Sequence, residues 1–188
     1  MKNLFYLVIV ALLLGGCSYK NEGIALNSYK AQYAGPISKE KKSVYIKSVR
    51  DPRIDKRSIG YYLNDDEKSV RLYSDVNFAE KYKEGLGYAL NIAGFNTVIN
   101  PSDASLSIEV SIKKIELIYN NKLLDSNLRG EMEVEVIIKN NTKTITHNFK
   151  QQGSTWIKPS YNSKDLEPFL YTLFSDSIDA VVAKLTQY

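Results

Sequence analysis

Cysteine, histidine and tryptophan each occur only once in these 188 residues. With Cys17 alone, no internal disulfide can form. With His147 alone, a histidine-based metal site or a Ser–His–Asp arrangement lacks the partners that its chemistry needs. No glycine loop has the phosphate-cradling layout, because Gly85-Leu86-Gly87 falls inside a helical pattern and follows no strand. Carboxylate neighbours such as Asp65-Asp66 fall in a turn. No apolar run reaches the roughly 20 residues of a membrane-spanning helix. Internal repeats and low-complexity segments are absent. Net charge is scarce where it would count. The formal charge is +4, yet residues 43–188 hold nineteen basic and nineteen acidic side chains. A nucleic-acid binder needs a basic face on its folded part, so nucleic acid is excluded as a partner. The expectation is a chain that is not an enzyme and holds no metal or cofactor.

What is present begins at the N-terminus. Lys2 precedes eleven uncharged residues, 4–14, and Gly15-Gly16-Cys17 closes the segment. Basic start, apolar centre and small residues at the cut form the three-part layout of a secretory signal over residues 1–16. A buried core helix is the alternative, and it fits poorly with a run that is apolar on every side. Leu14-Gly15-Gly16-Cys17 resembles the lipobox of bacterial lipoproteins, with Gly15 where Ala, Ser or Thr is commoner. That resemblance implies cleavage before Cys17, diacylglycerol on its thiol and an acyl chain, such as palmitate, on its new amino group. A lone thiol in an exported chain is thereby explained. Each buried lipid CH₂ contributes about 0.8 kcal/mol, so two or three acyl chains anchor a domain essentially permanently. Ser18, where an inner-membrane retention signal would have Asp, implies an outer-membrane address facing the periplasm. The inner membrane is the alternative.

Residues 17–42 read as a lipidated flexible tether. They lack periodicity, contain Gly23, Gly35 and Pro36, and over 18–42 carry five lysines against two glutamates. Ile24, Leu26, Tyr29 and Tyr33 offer another possibility, in which part of this segment is pinned to the domain. Residues 43–188 read as a single globular domain. A strand over 43–49 places Val44, Ile46 and Ser48 on one face. A hairpin follows over 59–72. A helix capped by Ser74 or Asp75 runs to Gly94, with Gly85 and Gly87 permitting close approach to the sheet. Phe95 to Ile99 form a short strand. Three long strands then form a meander, with a phase change near Lys113-Lys114 that signals a bulge. Met132, Val134, Val136 and Ile138 alternate with outward residues, Glu131, Glu133 and Glu135 among them. A last apolar helix starts at Asp165, with Pro168 in its first turn. This order predicts an α+β fold, a two-layer sandwich of an antiparallel or mixed sheet with both helices on one face.

Few side chains suggest a site. Asp51 and Arg53 belong to a charged cluster, 50–57, that reads as exposed local ion pairs or as a partner-docking loop. The glutamate row reads as a solvated face, with a basic partner or Ca²⁺ as the functional alternative. Trp156, Tyr161, Tyr61 and Tyr62 read as packing aromatics, with a cell-wall or lipid contact as the alternative. Asn140-Asn141-Thr142 is a sequon that a turn also explains.

The lipobox at 14–17, the strand 44–49 leading into Asp51-x-Arg53, and Ile59-Gly60 resemble the YajG-like lipoproteins of Gram-negative bacteria. The helix ending Ala93-Gly94-Phe95, the strand over 106–118 and the C-terminal helix follow in the same order. The resemblance implies a small envelope domain without known enzymatic activity. Its expected role is a non-enzymatic binding or assembly module with a membrane anchor and an envelope protein partner. An accessory subunit of an envelope transporter or trans-envelope machine is the second reading. A cell-wall or lipid-acting enzyme is the third.

Overall fold

The computed structural model describes residues 23–26, 29–63, 69–120, 122–123, 126–140, 142–159 and 161–188. The signal, the lipobox with Leu14, Gly15, Gly16 and Cys17, and the Asp65-Asp66 turn lie outside the described residues.

Alternating apolar residues generate the strands, and two amphipathic segments generate the helices. In order they are β1 (Ser43–Arg50), β2 (Ser58–Leu63), β3 (Ser69–Tyr73), α1 (Phe78–Ile92), β4 (Asn96–Val98), β5 (Leu106–Asn120), β6 (Leu128–Lys139), β7 (Thr144–Thr155) and α2 (Ser163–Leu185). A 3₁₀ turn at Pro101–Asp103 separates β4 from β5. The sheet is mixed, seven-stranded and open. β5 is its axis. One edge of β5 pairs antiparallel with β6 from Ser107↔Lys139 to Tyr119↔Leu128, and β7 pairs antiparallel outside β6. The other edge is shared. β1 runs parallel beside residues 106–111, and β2 runs parallel beside residues 117–120. β4 flanks β1 and β3 flanks β2. The connection 51–57 therefore spans the gap left opposite the middle of β5.

Two bulges set which side chains turn inward. In β5, Leu106, Ile108, Val110 and Ile112 are buried, then the phase shifts and Ile115, Leu117 and Tyr119 are buried. The shift falls between Ile112 and Lys114, where the lysine pair predicted it. The second bulge, between Ile46 and Ser48 of β1, corrects the expected face. Val49 rather than Ser48 lies opposite Val110 and packs against the core.

Both helices cover one face. α1 packs on β1 and β4, α2 packs on β6 and β7, and the helices pack on each other. Their starts differ from the sequence reading. Asn77, not Ser74 or Asp75, caps α1 by accepting the Glu80 N–H. The Ser74 hydroxyl is engaged with the Ile24 carbonyl and the Val76 N–H. Asn162 caps α2, and Asp165 is the reciprocal member of its capping box rather than the cap itself. Pro168 consequently sits inside the helix, beyond the first turn.

The free-tether expectation for 17–42 is corrected over its described part. Ile24 and Leu26 are 2% and 1% exposed, as buried as the sheet core. Burying such side chains stabilises by about 1.5–3 kcal/mol each. Backbone bonds join Ile24 N–H to the Tyr73 carbonyl at 2.8 Å and Ser38 N–H to the Ala93 carbonyl at 2.7 Å. The folded unit thus includes described residues from Gly23 onward, and 23–26 with 29–42 form a strap against the domain.

Candidate functional site

The strap covers the seam between α1 and α2. Tyr29 stacks edge-on against Phe174 with centroids 5.0 Å apart, and lies 5.3 Å from Tyr171. Gly85 makes room for it, because a Cβ there would collide with the Tyr29 hydroxyl and an Ile178 methyl. Gly85 therefore serves approach to strap and α2, whereas Gly87 is the glycine that faces β1, near Ile46. The Tyr171 hydroxyl donates to the Lys30 carbonyl at 2.9 Å, and the Tyr33 hydroxyl to the Pro36 carbonyl at 2.7 Å. Below them, Asp179 of α2 accepts the Ala34 N–H. Burial raises the Asp179 carboxyl above its ordinary value; the Ala34 bond opposes this and the nearby Asp176 charge adds to it. Burial also raises the Tyr29 phenol, with Tyr171 and Asp179 adding to the effect. Deeper in the seam, the Tyr82 and Ser177 hydroxyls satisfy each other at 3.0 Å. The sequence carried a signal for this contact in Ile24, Leu26, Tyr29 and Tyr33, and none for Asp179 beneath it.

Asp51 and Arg53 form a local ion pair, as the ion-pair reading expected, but they turn inward, which corrects their expected exposure and the docking expectation for these two side chains. They are only 7% and 9% exposed. Arg53 Nε and Nη2 grip the two Asp51 oxygens at 2.9 and 2.7 Å, a bidentate fork. Nη1 and Nη2 also donate to the Ser58 and Lys56 carbonyls at 3.0 and 2.9 Å. The guanidinium carbon lies 5.5 Å from the Phe78 ring centroid, at the start of α1. With its donors spent internally, the pair acts as an internal brace for the 51–57 connection. What the connection presents outward is Ile54, 106% exposed. Asp55 reaches Arg71 at 3.4 Å, and Arg57 reaches Asp75 at 2.7 Å.

The sheet face away from the helices is a lattice of ion pairs. Lys150 bridges Glu131 and Glu133 at 2.8 and 3.2 Å. Lys114 bridges Glu131 and Glu116, and Lys113 meets Glu135 at 2.9 Å. Lys47 meets Glu109 at 2.7 Å. The bond from Lys150, with those from Lys114 and Gln152, outweighs desolvation and depresses the Glu131 carboxyl to about 2. Lysines on the neighbouring strands therefore already neutralise the glutamate row. Among the described residues, no three His, Cys, Asp or Glu side chains converge to hold a metal ion. None of the helices there is long and apolar enough to cross a membrane.

β7 forms the outer edge of the meander. It pairs only with β6 among the described residues, over twelve residues without a register shift. Proline, charge and bulges usually blunt such edges. β7 has no proline and one charge, Lys150. Trp156, directly beyond it, is 53% exposed. Tyr62 and Tyr161 pack on buried Tyr119, at 5.5 and 4.4 Å between centroids, as the packing reading expected. Trp156 does not join them. His147 lies on the helix side of β7, half-buried, with Nε2 2.6 Å from the Tyr188 hydroxyl. Asn140 Oδ1 accepts from the Thr142 and Lys143 N–H groups, so the Asn140 side chain is engaged within the β6–β7 connection.

No curated protein matches this chain. Its fold is similar to that of a Xanthomonas campestris protein of family DUF330. The TM-score there is 0.54 and the identity 9%, over 84% of this chain and 91% of that one. An uncharacterized protein of known structure has a TM-score of 0.51 and 8% identity, over 82% of this chain and 99% of its own. At these identities the likeness is one of fold. A family model described as "Uncharacterized lipoprotein" matches residues 34–184, from mid-strap to the end of α2, and the chain belongs to that lipoprotein family.

Proposed function

We propose that the protein is an envelope lipoprotein anchored by lipid on Cys17, facing the periplasm from the outer membrane, and that it is a non-enzymatic binding or assembly module. The observation that carries this reading is the free edge of β7. The outward-pointing N–H and C=O groups of alternate residues along this twelve-residue strand, ending at exposed Trp156, suit the addition of an extended strand from a protein partner. Main-chain hydrogen bonds would give affinity, and a Trp anchor beside them supplies the kind of side chain that dominates binding energy. The charges of the open face are already paired among themselves, which makes that face a poorer candidate for a charged partner. An accessory role in a transporter or trans-envelope machine is the same activity with a larger partner.

Two measurements test this. A fatty-acid analogue should label the wild type and leave Cys17→Ala unlabelled; labelling of both removes the anchor. A photo-cross-linking residue at Asn148 or Gln152 should give discrete adducts in intact envelopes, and one at Lys83 on α1 should not. Equal yields from both surfaces would remove the β7 edge from the reading.

A further inference from the structure

The strap shortens the leash. If residues 17–42 were all tether, the domain could turn any face toward the bilayer. With the chain fixed to the fold from Gly23, only residues 17–22 separate lipid from domain, a reach of about 20 Å even when fully extended. A domain of this size is about 40 Å across. A leash shorter than the body holds the surface around Gly23 toward the membrane.

That surface is identifiable. Ile24 N–H bonds the Tyr73 carbonyl, and a Cβ on Gly23 would lie 3.7 Å from the Asp75 carboxylate. Asp75 pairs with Arg57, and the Arg57 carbonyl accepts the Ser74 N–H. Gly23, the first described residue, therefore lies beside the 51–57 connection. There Ile54 stands fully exposed on a loop that the buried Asp51–Arg53 brace holds in shape. Lys56, without an ion pair among the described residues, flanks it, while the neighbouring Asp55 and Arg57 are neutralised by Arg71 and Asp75. An apolar tip beside one unpaired lysine, with the other charges of the loop neutralised in pairs, matches a headgroup region, where apolar side chains enter and Lys meets anionic phosphate.

We propose that the 51–57 loop is a membrane-contacting tip, with Ile54 entering the headgroup region of the leaflet that carries the Cys17 lipid. This rests on the Cys17 anchor proposed above. The test uses full-length, lipidated protein in vesicles of phosphatidylcholine and anionic phosphatidylglycerol. Lipid occupies the Cys17 thiol, so Ile54→Cys provides a unique site for an environment-sensitive fluorophore. Lys143→Cys, in the β6–β7 turn by the start of β5, provides the distant control. Brominated lipid should extinguish most of the fluorescence at 54 and leave that at 143 unchanged. No quenching at 54, or equal quenching at both, overturns the tip while acylated Cys17, read by mass spectrometry, upholds the anchor. Unmodified Cys17 in protein recovered from envelopes overturns the anchor and the tip together.

Discussion

The two faces of the sheet solve the same problem in opposite ways. On the open face, charges are many and redundant: Glu131 has Lys114 and Lys150, and Lys150 in turn has Glu133. On the covered face polar groups are few, and each depends on specific partners. Arg53 has Asp51, two carbonyls and a ring; Tyr82 has Ser177; Asp179 has one strap N–H. Redundancy in water makes each open-face contact cheap to lose. Isolation from water makes each covered contact expensive to lose, because an orphaned partner keeps its desolvation cost.

The largest effect should come from uncovering the helix seam. A chain of residues 43–188 lacks Ile24, Leu26, Tyr29 and Tyr33, whose burial amounts to at least about 5 kcal/mol, comparable with the whole stability of a small domain. It should aggregate or melt without a cooperative transition, whereas residues 23–188 should unfold cooperatively by circular dichroism. Melting points within a few degrees of each other would make the strap a passenger. Next comes Arg53→Ala, which strands the Asp51 carboxylate. A loss of about 3–5 kcal/mol in urea unfolding is expected, with Arg53→Lys intermediate because it loses the fork. A loss below about 1 kcal/mol would put the pair in the class of the open-face contacts and erase the contrast.

The same contrast explains what the sequence made legible. The meander was readable because both of its faces are regular. Buried and half-buried residues alternate through β5 and β6, and paired lysines announce the bulge. The shared edge of β5 was not. Two short strands in tandem leave no periodic trace of their common partner, and the bulge in β1 silently reverses its last residues. Asp51 and Arg53 were visible as charges, but burial is a property of what Phe78 and the Ser58 and Lys56 carbonyls place around them. The strap was half legible. Its apolar residues were conspicuous, yet their spacing matches neither helix nor strand, because they fit a groove built by two distant helices. The free edge of β7 required the strand order, which composition does not encode.

Smaller effects distinguish the faces by sign. Glu131 is depressed from the ordinary range to about 2. Its stabilisation is fully present above the unfolded value near 4.5 and disappears as pH falls through about 2. Glu131→Gln should cost about 1 kcal/mol at neutral pH, since Gln152 and the two lysines remain solvated, and only a small fraction of that at pH 2. A cost that persists in full at pH 2 would mean that packing, not charge, is its role.

Asp179 should behave in the opposite sense, with the smallest effect. Its folded value is raised, so the folded protein takes up a proton more readily than the unfolded chain. Ionisation therefore weakens the fold at neutral pH. Stability should rise as pH falls through the raised value, and the gain should be complete near the unfolded value of about 4. Asp179→Asn keeps an oxygen to accept the Ala34 N–H while removing the partly buried charge. Its melting temperature at pH 7 should equal or slightly exceed that of the wild type, and the rise on mild acidification should vanish. Hydrogen exchange over residues 29–38, corrected for the intrinsic rate, localises the effect. Protection of the strap should increase on acidification in the wild type and stay flat in the variant. If instead Asp179→Asn loosens the strap at pH 7, the Ala34 bond depends on the carboxylate's charge. Charge on the covered face would then stabilise, as it does on the open one.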